Sequence, residues 1–230
     1  MVKLSLMRLS IAAVTVTCLL CAVVTACGGG SSIPNPFQPT PTPSPSPAIP
    51  TPPPAPTPTP RTLVPGDIVG TQVFPAGDTA SGGQGSPVDG IACENTAQTF
   101  HIHSHLTIFQ NGTQVAVPIA IGLMSPVYSM GGNFANSGAC FYHLHTHDRS
   151  GIIHAENPTS TTYTLGQFFD IWGEPLSASN VAGVSGPTIF YIGTSIFSGD
   201  PRTITLTDHE QITLEVGGPY VFPPFYTWGY

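Results

Sequence analysis

Two segments of the sequence carry a histidine at every second position, and this alternation limits what the surrounding chain can fold into. All eight histidines fall between positions 101 and 209, and seven of them lie in or just after these two segments. The seven are His101, His103, His105, His143, His145, His147 and His154. Side chains on a β-strand alternate between its two faces, so each segment is predicted to be a strand with its histidines on one face.

Two such strands side by side can form a metal site. Residues two apart on a strand have Cα atoms roughly 6.5–7 Å apart, and imidazoles at that spacing can converge on one ion with bonds of about 2.0–2.1 Å. The short connection at residues 149–151 is expected to fold the next run back as a hairpin. That hairpin would gather His143, His145, His147, His154 and Glu156 into one patch. A pH-responsive polar face and a structural histidine cluster remain open as alternatives.

The predicted ligand types favour copper or zinc and allow more than one function. A site rich in imidazole and poor in thiolate favours Cu(II) or Zn(II). The protein would then capture or buffer the metal at the cell surface. Alternatively it is a metal-dependent hydrolase or oxidoreductase, in which an open metal position holds water and Glu156 or Asp148 acts as general base. A third possibility is a non-catalytic envelope or interaction module whose histidines become charged near roughly pH 6.5.

The first 27 residues are typical of an export signal. Lys3 and Arg8 precede a long apolar run, and the sequence Val-Thr-Ala before Cys27 resembles a bacterial lipobox. Cys27 is therefore the predicted lipidation site, which would anchor the protein to the cell membrane outside the cytoplasm. The alternative is an ordinary secretory signal cleaved near Ala26.

A linker and a lead-in are predicted to follow the signal. Residues 28–62 are first Gly- and Ser-rich and then Pro- and Thr-rich, with fourteen prolines in the segment 34–60. Such a tract favours extended polyproline II and would hold a domain away from the lipid surface, although a docking ligand or a glycosylated stalk is also possible. We expect residues 63–92 to be a loosely ordered lead-in and residues 93–230 to form the histidine-rich β domain.

Cysteine usage and charge narrow the class of protein. Of five cysteines, Cys18 and Cys21 lie in the signal and Cys27 in the lipobox, which leaves Cys93 and Cys140 to pair as a disulfide in an oxidising compartment. Metal ligation by these two thiols is the alternative. Beyond the signal the chain has twelve acidic residues, three arginines and no lysine. This balance argues against nucleic-acid binding and suits cations.

Local signals in the domain predict a mainly β (α+β) fold, with a small antiparallel β-sheet, hairpins and one amphipathic helix packed on the sheet. Asn111-Gly112 between two β-prone runs predicts a tight hairpin. Thr164 followed by Gln167 predicts a capped helix that ends at Gly173. Further strands are predicted at residues 188–192, 202–207 and 211–216, with His209 in a turn and the tail from residue 219 wrapping over the sheet.

The segment from His145 to Glu156, together with the later Thr164 to Gly173, resembles a family of uncharacterised prokaryotic exported proteins. The upstream histidine strand and its Asn-Gly hairpin are similar as well, so the resemblance covers about residues 91–217. It implies no particular activity. It implies that one set of residues acts as a unit, to which His101 and His143 belong less firmly. The set is His103, His105, His145, His147, Asp148, His154 and Glu156.

Overall fold

The structure is a computed structural model of the chain and describes residues 59–79, 82–96 and 98–229. The strands of this part begin with β1 (Arg61–Thr62), β2 (Cys93–Glu94), β3 (Phe100–Gln110), β4 (Thr113–Val115), β5 (Leu123–Met124), β6 (Val127–Ser129), β7 (Phe134–Ser137), β8 (Cys140–Tyr142), β9 (Leu144–His145) and β10 (Ile152–Asn157). They continue with β11 (Tyr163–Thr164), β12 (Leu176–Ser177), β13 (Asn180–Val181), β14 (Val184–Ser185), β15 (Thr188–Ile192), β16 (Ser195–Phe197), β17 (Thr205–Leu206), β18 (Gln211–Val216) and β19 (Tyr226–Thr227).

Helices are few in the described residues. The α-helix α1 is Leu165–Trp172, and short 3-10 helices lie at Gly77–Thr79, Met130–Gly132 and Pro201–Thr203. None of the helices in these ranges is long and apolar enough to cross a membrane. The predicted mainly β fold with one α-helix is confirmed. The predicted signal and the linker up to residue 58 lie outside the described residues.

A seven-stranded sheet organises the domain, with the strand order β16-β15-β18-β3-β10-β9 and β4 beside β3. Most neighbours are antiparallel, but β18 runs parallel to β3. β3 is the longest strand because its alternating sequence buries apolar residues on one face, where Leu106 and Ile108 enter the main core. It ends at the predicted turn, where Asn111 and Gly112 both have positive φ and β4 pairs back. That hairpin prediction is confirmed.

Helix α1 covers the apolar face of the sheet. Thr164 accepts a hydrogen bond from the Gln167 backbone N–H while the Gln167 side chain bonds the Thr164 N–H, so the predicted capping box is present. Gly173 ends the helix in the left-handed conformation. The buried helix residues, Leu165, Phe168, Phe169, Ile171 and Trp172, pack in the main core.

Two of the three predicted later strands are confirmed, β15 and β18, and the third was wrong in part. Residues 201–203 form a 3-10 helix instead of a strand. The Asp200 carboxylate accepts from the Arg202 N–H, and Pro201 fixes the first backbone angle of this turn. Only Thr205–Leu206 is extended, as β17.

The segment expected to be a loose lead-in contributes to the fold. β1 pairs with β19 near the end of the chain, so described residues from Arg61 onward already belong to the folded domain that was predicted to start at Cys93. A second core cluster joins this segment to the tail through Leu63, Val69, Ile152, Tyr226 and Trp228. Isolated apolar residues such as Leu63 and Val69 carry this packing, and a search for apolar runs overlooks them. The tail wraps over the sheet as expected.

Candidate metal site

Strand register brings the two histidine segments together on the face opposite α1. His154 on β10 lies directly between His103 on β3 and His145 on β9. Two residues further along β10, on the same face, Glu156 lies opposite His101. Directly opposed residues on neighbouring strands have Cβ atoms about 4.5–5.5 Å apart, so these rings must meet. The predicted hairpin between the second histidine segment and β10 is therefore present.

Four of these side chains form what we call the inner group: His145, His147, His154 and Glu156. Each can offer one ligand atom, and the four atoms all lie within 4.8 Å of one another. His145 Nε2 lies 3.2 Å from His147 Nε2 and 3.6 Å from Glu156 Oε1. Around a tetrahedral ion with bonds of about 2.0–2.1 Å, ligand atoms are about 3.3–3.4 Å apart. The two distances from His145 Nε2 are close to that geometry.

Backbone carbonyls fix which nitrogen of two inner rings carries the proton. Nδ1 of His145 lies 3.0 Å from the carbonyl oxygen of Tyr142, and Nδ1 of His147 bonds the carbonyl of Ala135. A carbonyl oxygen only accepts, so both Nδ1 atoms must be donors, and whenever either ring is neutral its lone pair is at Nε2. These two lone pairs and a carboxylate oxygen therefore face one another. A metal ion or a proton between these atoms would remove the repulsion.

Three side chains form an adjoining outer group: His101, His103 and His154. Nδ1 of His154 lies 3.2 Å from His101 Nε2 and 3.1 Å from His103 Nε2. Glu156 Oε1 is 3.1 Å from His101 Nε2, so the carboxylate borders both groups. The His101 side chain is 47% exposed, whereas that of His145 is 1% exposed. The histidine cluster thus has a solvent-facing end and a buried end.

Burial keeps several of these rings neutral. It lowers the pKa of His103 and of His147 to about 4. Burial also lowers the pKa of His154 well below its usual value. For Glu156, burial raises the pKa, but hydrogen bonding with His145 and His154 outweighs it and holds that pKa well below its usual range. At neutral pH the site therefore offers a carboxylate and the neutral imidazoles of His103, His147 and His154, the protonation states that metal binding needs.

His105 does not join the cluster, contrary to the prediction that all three histidines of β3 would act together. It lies on the same face, opposite Ile152, but its Nε2 bonds the Ser150 carbonyl at 2.8 Å. Its ring packs 4.3 Å from that of Tyr226, under the chain tail. Gly151 allows this close approach, because a Cβ there would lie 2.4 Å from the Leu106 carbonyl.

His143 and Asp148 also lie outside both groups. His143 bonds the Tyr163 hydroxyl through Nδ1 and Glu94 through Nε2, at 2.9 and 2.8 Å. The buried Asp148 carboxylate accepts from the backbone N–H groups of Gly66 and Ser150. Asp148 therefore holds a turn and is not placed to act as a base at the cluster. Of the two predicted base candidates, only Glu156 contacts the histidines.

The predicted disulfide between Cys93 and Cys140 is present, with Cα atoms 5.4 Å apart. It joins β2 to β8 and so closes one wall of a cavity of about 260 Å³ beside the cluster. His145 and Glu156 line one side of this cavity. Polar side chains of the 94–98 segment and the Phe141 ring line the rest. A small molecule in this cavity would contact the inner group.

Several contacts of the site histidines were not predicted from the sequence. The carbonyls of Tyr142 and Ala135 set the histidine tautomers, and backbone groups leave no signal in sequence. Phe134 stacks on His147 at 5.1 Å, and Phe141 meets His145 edge-on at 5.4 Å. Phe141 shares the two-residue period of the second histidine segment, so that pattern could have found it. His209 lies in an exposed turn with positive φ, as predicted.

No protein-family model, curated protein or solved structure matches this chain. The chemistry of the site therefore carries the functional inference. Its donor set of imidazoles and one carboxylate fits a transition-metal ion, and the structure shows a histidine cluster that could bind one.

Proposed function

We propose that this protein is an exported lipoprotein that binds copper or zinc at the inner group and captures or buffers the metal at the cell surface. One observation carries the proposal. The Nε2 atoms of His145 and His147, which carry the lone pairs of the neutral rings, lie 3.2 Å apart and near the Glu156 carboxylate. Nδ1 of each ring is hydrogen-bonded to a backbone carbonyl. A bound cation removes this repulsion for all three groups at once.

The ligand types support Cu(II) or Zn(II) over other ions. Three imidazoles and one carboxylate suit these borderline ions, whereas Mg²⁺ and Ca²⁺ prefer oxygen ligands alone. The two cysteines of the domain are joined in the disulfide, so no thiolate is offered by them to Cu(I). Burial of the inner rings strengthens the preference for neutral ligands that need not lose a proton on binding.

An anchored, extracytoplasmic location is part of the same proposal. The export signal, the lipobox ending at Cys27 and the proline-rich linker support it, as does a disulfide typical of oxidising compartments. Cys27→Ser is expected to release the protein from membranes, because a lipid and not an apolar span would hold it. Fractionation of washed membranes measures this. A variant that stays with the membranes after high-salt washing would rule out the lipid anchor.

A metal-dependent enzyme is the second candidate, and the cavity beside the inner group favours it. Glu156 and His145 line that cavity, so a substrate there could reach both the ion and a carboxylate base. Azide titration of the Cu(II)-loaded protein, followed by electron paramagnetic resonance, separates the two functions. A spectral change upon azide binding indicates an exchangeable metal position and favours the enzyme. An unchanged spectrum favours a closed site for capture.

The metal site itself is tested with the full chain, purified without a histidine tag. Metal analysis is expected to give stoichiometric copper or zinc, and added metal is expected to raise the melting temperature because only the folded state binds it. His145→Ala is expected to lose most of the metal and of this shift. His209→Ala is the matched control, since it removes an exposed histidine that belongs to neither group. Equal binding by wild type and His145→Ala would refute the site.

A further inference from the structure

The inner and outer groups share one ring, and that ring limits how they can be used. Nδ1 of His154 lies 3.2 Å from His101 Nε2 and 3.1 Å from His103 Nε2, and it also lies 3.6 Å from Glu156 Oε1. A neutral imidazole nitrogen has a single lone pair. Nδ1 can therefore bond only one ion at a time, so an ion held through it in the outer group excludes a second ion held through it in the inner group.

Exposure differs between the two groups in a consistent direction. His101 is nearly half exposed, His103 is buried with its ring against His101, and the inner His145 is sealed. An ion can therefore reach His101 directly from solvent, whereas it reaches His145 only through the cluster or through the cavity that His145 and Glu156 line. The outer group also has ligand-like spacing, because its nitrogens lie 3.1–3.2 Å from His154 Nδ1 and tetrahedral ligand atoms are about 3.3–3.4 Å apart.

We propose that His101, His103 and His154 form a loading position, where a divalent transition-metal ion first binds from solvent before it moves to the inner group. This inference rests on the proposed function, because it names how the same site is filled. His154 and Glu156 are the shared ligands that keep the ion bound during the move.

The move requires only ligand exchange. The bonds from the ion to His101 and His103 break, and bonds to His145 and His147 form, with no change in oxidation state. Glu156 Oε1 can follow the ion, since it lies 3.1 Å from His101 Nε2 and 3.6 Å from His145 Nε2. Water ligands that arrived with the ion leave through the exposed end.

The rates of metal loading and release distinguish a residue of the loading position from a ligand of the inner group, where the ion finally stays. A residue on the path changes both rates by the same factor and leaves their ratio, the affinity, nearly constant. In the full chain, His101→Ala is expected to slow both zinc uptake and zinc release by about tenfold. A ligand of the inner group holds the ion once it is loaded, so His147→Ala is expected to speed zinc release by about tenfold or more. Stopped-flow mixing with zinc and then with a chromophoric chelator measures both rates.

His209→Ala is the control, since it removes an exposed histidine that is not part of either group, and it should load like wild type. Unchanged rates in His101→Ala would overturn the loading position, as would faster release with weaker affinity, which would make His101 a ligand of the ion where it finally stays. Two zinc ions per wild-type chain would overturn it as well, because both groups would then be filled together. Absence of zinc binding by wild type would instead overturn the proposed function itself.

Discussion

The two ends of the histidine face have the same alternating sequence pattern but differ in the surroundings and contacts of their histidines. At one end His103, His154 and His145 stand in a row beside the exposed His101, with lone pairs converging. At the other end His105 is sealed between the Ser150 carbonyl and the Tyr226 ring. The first end is a candidate metal site and the second is part of the core.

The cover above each end accounts for the difference. Residues of β1 and β19 lie over His105, where Tyr226 and Trp228 pack with Leu63 and Val69. At the other end, Phe134 and Phe141 pack against His147 and His145 but leave His101 exposed. That end is bordered by the disulfide-linked strands β2 and β8. A histidine on a strand thus becomes a ligand or a core residue according to what a distant segment places on it.

Removing the aromatic lid should have the largest effect. Trp228 is nearly buried, with its ring stacked 5.1 Å from His209 and 6.0 Å from His105. Trp228→Ala is expected to lower the free energy of unfolding by about 3–5 kcal/mol, through lost burial and a cavity. Metal content should stay at the wild-type value, because the closed end contributes no ligand. Urea unfolding and metal analysis measure the two effects.

Phe225→Ala is the control for the lid, because Phe225 is 42% exposed and its loss should change stability by no more than about 0.5 kcal/mol. If Trp228→Ala lost its metal while still folded, the two ends would be coupled and the contrast between them would fail.

Removing the disulfide beside the candidate metal site should have the next largest effect. The Cys93–Cys140 bond spans 47 residues, and Cys93→Ser combined with Cys140→Ser is expected to cost about 2–4 kcal/mol. Unlike the lid variant, this one should also weaken metal binding, because β8 leads directly into the inner group. Melting curves with and without metal measure both. A reducing agent should reproduce the loss in wild type and add nothing in the double variant.

Exchanging the two neighbouring histidines for leucine sharpens the contrast within β3. His105→Leu leaves the buried Ser150 carbonyl without its donor and is expected to cost about 1–3 kcal/mol while metal loading stays normal. His103→Leu should instead slow metal loading and change the stability of the metal-free protein less. The same unfolding and stopped-flow measurements apply to both variants. The reverse pattern would place His105 in the site.

Local sequence signals predicted the elements well, and the site only in outline. The Asn111-Gly112 turn and the Thr164 cap act within a few residues, so their structures follow from short segments alone. Alternation also predicted the histidine face. It could not separate His105 from His103, because the lid comes from Tyr226 and Trp228 at the far end of the chain. The tautomers of His145 and His147 depend on backbone carbonyls, and because every residue has a carbonyl the sequence does not reveal these contacts.

The smallest expected effect concerns Glu215, at the end of the histidine face that holds His105. Glu215 is fully buried on β18, on the His105 face, where Oε2 accepts from the Val221 N–H of the tail. Its titratable neighbours are the hydroxyls of Tyr191 and Tyr220. Burial raises the pKa of Glu215 to about 7 from the ordinary value of 4.5. The folded state therefore holds this proton to higher pH than the unfolded state does, and stability falls as pH rises from about 4.5 to about 7.

Glu215→Gln removes that titration without changing the shape of the side chain. At pH 8 the variant is expected to be more stable than wild type by on the order of 1–2 kcal/mol, because it avoids a buried charge. At pH 4 both side chains are neutral, so the two proteins should unfold alike. Urea unfolding at both pH values measures the difference. Equal stability at pH 8 would mean that water reaches Glu215, and the tail would then not seal this end as it seals His105.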